Sequence, residues 1–217
     1  MPVLVQQFSP ATWAALTRVL PGLLAHGWPG EVRPGDTLRF LRRELRGDGA
    51  LGWSLSAGHW GLVTPGTAAA EARRHAFQAR VESLGAHRTY RDLLAISRCV
   101  IPLAAYWDAP TASPLPVRVL LRPQLDVPMF AAGLHASVLT PAGPLISCAV
   151  VTRPAPPELV GTVARIPALL REDEVLPWLS GSTRDARRTA RDSRAWEALT
   201  VAGSRLVTSG TAGFAAP

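Results

Sequence analysis

The sequence predicts an α+β fold: a largely antiparallel β-sheet or barrel core with short flanking helices. Three observations carry that expectation. Thr37 to Leu45 and Leu51 to Val63 alternate between apolar and polar residues, the period-two pattern of half-buried strands. Val117 to Leu121, Met129 to Leu139 and Leu145 to Thr152 are apolar runs separated by Pro/Gly connections and read as three more strands. Helical spacing is confined to short segments, and neither an internal repeat nor an obvious linker interrupts the chain, so residues 1–217 are read as one domain.

The elements follow in order. Val3 to Val5 is a short apolar start, and Ser9-Pro10 opens a helix with Ser at the cap and Pro in the first turn, carrying Trp13, Leu16 and Leu20 inward. Gly27 to Gly35 is a Pro/Gly-rich loop before the two alternating strands. Thr67 to Phe77 is Ala-rich and reads as helix, Gln78 to Leu84 as a short extended segment, and His87 to Ile96 as a helix by the spacing of Leu93, Leu94 and Ile96. Ser97 to Pro102 is a core strand whose continuation ends in Tyr106, Trp107 and Asp108, and Pro110 to Pro116 is a turn. After the three apolar strands, Pro156 to Val163 and Glu172 to Leu179 read as short helices. Asp185 to Leu199 reads as a charged helix with Arg187, Arg188, Arg191 and Arg194 on a solvated face, and Thr200 to Val207 as a last strand.

A chain of 217 residues with 47% hydrophobic content, 18% charged residues and seven tryptophans can offset its folding entropy by burial, which excludes the disordered class. All 23 basic residues are arginine, and asparagine is absent as well as lysine. A codon bias accounts for arginine standing in place of lysine. The surplus of +7 is the informative part, since arginine forks match phosphate oxygens and suit a polyanion partner. Cys99 and Cys148 lie inside apolar runs with no metal-ligand spacing and read as reduced core thiols. His59, His75, His87 and His135 form no pair with metal spacing and read as surface or capping residues, so neither metal nor cofactor is expected. The chain start lacks a basic signal region, and no run reaches the roughly eighteen apolar residues of a membrane span, which leads to the expectation of a soluble cytoplasmic protein with no membrane partner.

No segment alone is a strong chemical motif: there is no phosphate-binding loop, dinucleotide fingerprint, zinc-protease helix or nucleophile elbow. Their order is more specific. Val32 to Gly35 forms a Val-x-Pro-Gly turn, followed by Trp60-Gly61 with Pro65, then by Gln78-Ala79-Arg80-Val81-Glu82-Ser83. Arg98 to Pro102 comes next with Tyr106-Trp107-Asp108, then Pro128 to Leu134, Val150-Val151-Thr152, Ala164 to Pro167, and Val201 with Ser204-Arg205 and Val207. Over nearly the whole chain this order resembles the SOS-response-associated peptidase family, which shields abasic sites in single-stranded DNA.

The resemblance implies a site built on an N-terminal cysteine that closes a thiazolidine with the abasic aldehyde, surrounded by an asparagine, a glutamate and a histidine. Here Pro2 stands at the cysteine position, Gln78 at the asparagine, Asp108 at the glutamate and Val163 at the histidine. Pro2, Gln78 and Asp108 are therefore the candidate catalytic residues, with the chemistry altered: without a thiol at position 2 the thiazolidine ring cannot close, and Val163 cannot move a proton. Trp60 and Gly61 would stack or wedge against bases, while Arg80, Arg165 and Arg205 would contact phosphate. Taken alone, Trp60 reads better as an ordinary core aromatic, and it is the glycine after it and its place in the segment order that favour a surface role; Arg80 with Glu82 would also be explained as an exposed structural ion pair, with the Gln-Ala-Arg context favouring Arg80 on DNA.

The leading expectation is a divergent pseudoenzyme member that binds single-stranded or damaged DNA in the DNA damage response, near the nucleoid and without the cysteine cross-link. An enzyme reading stands beside it: with no lysine in the chain, Schiff-base chemistry at an abasic site would have to use the Pro2 amine, with Asp108 shuttling the proton. A third reading is a non-catalytic scaffold for protein contacts.

Overall fold

The computed structural model describes residues 4–7, 14, 17–18, 30–45, 47, 49, 51–64, 77–111, 117–125 and 129–206. In chain order its elements are β1 (Leu4–Gln6), β2 (Glu31–Val32), β3 (Thr37–Leu45), β4 (Leu51–Trp60), β5 (Gln78–Arg80), α1 (Arg88–Ile96), β6 (Arg98–Leu103), β7 (Ala105–Asp108), β8 (Val117–Pro123), β9 (Met129–Thr140), β10 (Gly143–Pro154), β11 (Arg165–Pro167), β12 (Leu169–Leu170), α2 (Glu172–Ser180), α3 (Thr183–Asp192) and β13 (Leu199–Leu206).

Five strands close on themselves. β10, β4, β3, β6 and β9 pair in that order, and β9 pairs back onto β10 through the register Gly143↔Thr140 to Val150↔Gly133, so the sheet is a barrel without a free edge along that ring. Its pairings are antiparallel except that β10 runs parallel to β4 and β5. A second sheet, ordered β13-β8-β7-β1-β2, is antiparallel throughout. The expected α+β architecture with a largely antiparallel barrel core is the one observed.

The alternation of side chains explains why the central strands are apolar on both faces. Along β6, Cys99 and Ile101 join one buried cluster and Val100 the other; along β9, Met129 and Ala131 alternate in the same way with Phe130 and Ala132. One cluster fills the barrel and continues to Val5, Val32, Tyr106 and Leu121 of the second sheet. The other lies under the helices, where Trp178 of α2 and Ala186 and Ala190 of α3 pack on Leu41, Val100 and Val151. Close packing leaves no room at Gly133, where a Cβ would stand 2.8 Å from Cys99 Sγ and 2.9 Å from Ile101 Cδ1.

Arg98 ties the helical layer to the barrel. It is 8% exposed, and its guanidinium donates to the carbonyls of Leu94, Leu179 and Gly181, which are orphan acceptors at the C-terminal ends of α1 and α2.

Several boundaries differ from the sequence reading. Pro156 to Val163 is a run of turns and not a helix, closed by Leu159 N–H on Pro156 O and Val163 N–H on Leu159 O; two adjacent prolines without N–H groups and Gly161 disfavour continuous helix there. The expected helix from Asp185 to Leu199 begins earlier, where Ser182 Oγ accepts Asp185 N–H, and stops at Asp192 because Ser193 turns to donate to Glu174 Oε2 at 2.6 Å; only a short 3-10 turn, Ala195–Ala198, follows. Gln78 to Leu84 is extended only to Arg80 and then turns as a 3-10 segment over Val81–Ser83. The Gly27 to Gly35 loop contains β2. The helices expected after Ser9 and over Thr67 to Phe77 fall outside the described residues but for Ala14, Thr17, Arg18 and Phe77. No helix among the described residues is long and apolar enough to cross a membrane.

Candidate functional site

β1 lies against β7. Its antiparallel register on β7 sets Leu4 opposite Trp107 and Val5 opposite Tyr106. Pro2 lies outside the described residues.

Asp108 is the last residue of β7, fully buried, with Oδ1 accepting the Ala109 N–H at 2.7 Å. Burial pushes its carboxyl up to about 6, against the opposing pull of the amino-terminal charge, the Ala109 N–H and Arg118. Such a group exchanges a proton near neutrality, which a solvated aspartate does not. Tyr106, two residues earlier on the same face of β7, is fully buried as well. Its phenol is pushed up by burial and then by the Asp108 charge.

The opposite face of this sheet is basic. Trp107 points there, donating its indole N–H to Glu31 Oε1 at 3.2 Å, and the Arg205 guanidinium lies over its ring 4.2 Å from the centroid while pairing with Glu31 at 3.2 Å. Arg118 stands directly opposite Arg205 in the β8–β13 register, and its guanidinium is pulled down by burial and by the charges of Arg205 and Arg33. Arg33, Arg118 and Glu31 were not visible as site residues in the sequence; only the register that aligns β2, β7, β8 and β13 brings them together.

The second group of expected residues gathers around β5, β10 and β11. Gln78 is half-buried and sits beside Val150 in the parallel β5–β10 pairing, and Arg80 at the end of β5 is exposed. Arg165 is not an open phosphate ligand. Its side chain is 14% exposed, its two terminal nitrogens reach Glu82 at 3.0 and 2.8 Å, and it also donates to the Thr152 carbonyl and hydroxyl. The ion pair expected for Glu82 is thus made with Arg165, whose hydrogen bond holds the carboxyl below its usual range.

Trp60 and Gly61 correct the expectation of a stacking wedge. Trp60 is 1% exposed, its indole N–H donates to Phe77 O at 2.9 Å, and its ring meets Phe77 edge-on; Gly61 is buried with its N–H on Cys148 O. With the indole sealed inside the barrel cluster, no base can stack on it. Val163 is fully buried in the same cluster. His135 corrects a second expectation: it is 8% exposed, stacked on Phe40 at 5.9 Å, and burial brings its imidazole down to about 4.

Both thiols are sealed. Cys99 and Cys148 are fully buried, and burial pushes each thiol above its ordinary value. No cluster of three or more His, Cys, Asp or Glu side chains capable of holding a metal occurs among the described residues.

Comparison with known proteins points one way. The family model of the SOS response associated peptidase matches residues 30–204. The chain is 30% identical over 132 residues to the abasic site processing protein YoqW of Bacillus subtilis (strain 168), a match spanning 58% of this chain and 57% of that one. It is 28% identical over 132 residues to YobE of the same organism, also named an abasic site processing protein, spanning 58% of each. The matches therefore span little more than half the length of these curated relatives. In fold, a Bordetella bronchiseptica protein superposes with a TM-score of 0.75 at 20% identity over 95% of this chain and 99% of that one, and a Bacteroides thetaiotaomicron protein with 0.75 at 13% over 95% and 92%.

Proposed function

This chain belongs to the SOS response associated peptidase family, and from that premise we propose that it recognises abasic sites in single-stranded DNA without forming a thiazolidine cross-link. The observation that carries the reading is the conjunction of a fully buried Asp108 carboxyl on β7, the strand paired with β1, and two cysteines that are both fully buried. A carboxyl remains where the sugar would be read, and no thiol among the described residues is placed to close a ring with its aldehyde. The strand's phosphates are held by exposed Arg80 and by Arg33 and Arg118, while Arg205 is engaged by Glu31 as Arg165 is by Glu82. A role in DNA damage processing, close to the nucleoid in the cytoplasm, follows from the same reading.

A second reading has one observation in its favour: the amino-terminal charge acts on the buried Asp108 carboxyl. After removal of Met1, the proline amine would add to the aldehyde, and loss of water with a proton from Asp108 would leave a reversible iminium. With no lysine in the chain, borohydride reduction traps that adduct at the amino terminus alone.

The test is binding of labelled single strands with one abasic site, the same strands unmodified, and duplexes, over a salt series. The abasic strand binds tightest, and affinity falls with salt by about 0.7 in logarithmic slope per phosphate held. No binding at low salt, or a flat salt response, would leave a protein-interaction scaffold as the surviving account.

A further inference from the structure

Tyr106 is fully buried, and its hydroxyl has no hydrogen-bond partner among the described residues. A buried hydroxyl left unsatisfied costs about 1–3 kcal/mol. Phenylalanine would fill the same space in the cluster of Val5, Val32 and Leu121 without that cost. Unpaired buried polar groups are rare in folded chains, and one kept beside a buried carboxyl calls for a partner that arrives from outside.

The geometry says what could arrive. Tyr106 and Asp108 face the same side of β7, about 6.6 Å apart by strand rise. Ala109, which follows Asp108 at the strand end, is exposed, while the Asp108 carboxyl and the Tyr106 phenol are both fully buried, the phenol among apolar neighbours. The two groups form a short polar ladder in an otherwise apolar wall at the end of β7. In an intact nucleotide the sugar C1 carries the base nitrogen; in a base-free sugar it carries a hydroxyl or aldehyde oxygen. That oxygen is the acceptor that only the damaged nucleotide offers.

We propose that Tyr106 is a specificity-determining residue of the Asp108 site, its hydroxyl donating to the C1 oxygen of a base-free sugar that enters past Asp108. This rests on the abasic-site reading above. A buried donor that finds its acceptor in one ligand and not in another discriminates strongly, because the wrong ligand leaves it unpaired.

The experiment compares wild type and Tyr106→Phe on three labelled single strands: one with a natural abasic site, one with a tetrahydrofuran residue that lacks only the C1 oxygen, and one unmodified. Wild type prefers the natural abasic strand over the tetrahydrofuran strand. Tyr106→Phe weakens the natural abasic complex by roughly tenfold, the effect of one hydrogen bond, and leaves the other two unchanged. If wild type shows the preference and Tyr106→Phe keeps it, the role of Tyr106 is overturned while the abasic-site reading stands. If wild type does not distinguish the three strands, both fall. Thermal unfolding supplies the second readout: Tyr106→Phe melts at the same temperature or higher, and a clear drop shows that the hydroxyl serves the fold, which also overturns the proposal.

Discussion

Arg165 grips Glu82 with both arms of its guanidinium, at 3.0 and 2.8 Å, while the same side chain braces Thr152 of β10. The carboxylate occupies the fork that a phosphate would need. Glu82→Gln keeps the shape and removes the charge, so the fork becomes available to DNA. Single-strand affinity is expected to rise a few-fold, with the logarithmic salt slope steeper by about 0.7, the contribution of one more phosphate. An unchanged slope would show that Arg165 only braces the β5–β10–β11 corner.

Asp108 makes stability fall as pH rises. Its folded carboxyl is raised to about 6, against an ordinary value near 3.8, so between those values the folded chain holds a proton that the unfolded chain has released. Below about pH 4 both states are protonated and nothing is lost; stability then declines towards pH 6 and stays reduced above it. Asp108→Asn cannot ionise. Relative to wild type it should gain about 3 kcal/mol between pH 4 and pH 8, as read from denaturant midpoints. Parallel pH profiles for the two proteins would refute a buried, raised carboxyl.

Trp60 separates core from surface. Trp60→Phe removes the hydrogen bond to Phe77 O and part of a fully buried ring, for a loss of about 1–3 kcal/mol in unfolding free energy. The salt slope and the affinity for single strands should stay as in wild type at temperatures where both are folded. A specific loss of strand binding would return Trp60 to the DNA surface.

The strand order was legible because its signal is local: period-two alternation in Thr37 to Leu45, and apolar runs bounded by Pro and Gly, locate β3, β8, β9 and β10 without knowledge of their partners. The candidate site rests on family resemblance alone, since Asp108 and Gln78 carry no local motif. What stayed hidden depends on long-range register. Nothing in the chain near Glu31 announces Arg205, 174 residues away, and nothing near His135 announces the Phe40 ring that covers it. Trp60 was misjudged for the same reason: an aromatic before a glycine reads alike on a surface and in a barrel, and the Phe77 carbonyl that decides between them lies 17 residues on.

Arg98 offers a test of how the helical layer is held. Its guanidinium serves three carbonyls at once, those of Leu94, Leu179 and Gly181, and it is 8% exposed. Arg98→Met keeps the aliphatic stem but leaves acceptors at two helix ends unpaired, at about 1–3 kcal/mol for each one that water does not reach. A total loss of about 2–5 kcal/mol is expected, with α1 and α2 losing hydrogen-exchange protection before the barrel strands do. Arg98→Lys restores the charge but not the fork, since an ammonium is a point donor that cannot span carbonyls on two helices, so it recovers less than half of the loss. Full recovery by lysine would mean that charge near the helix ends, and not the planar array of donors, is what holds α1 and α2 to β6.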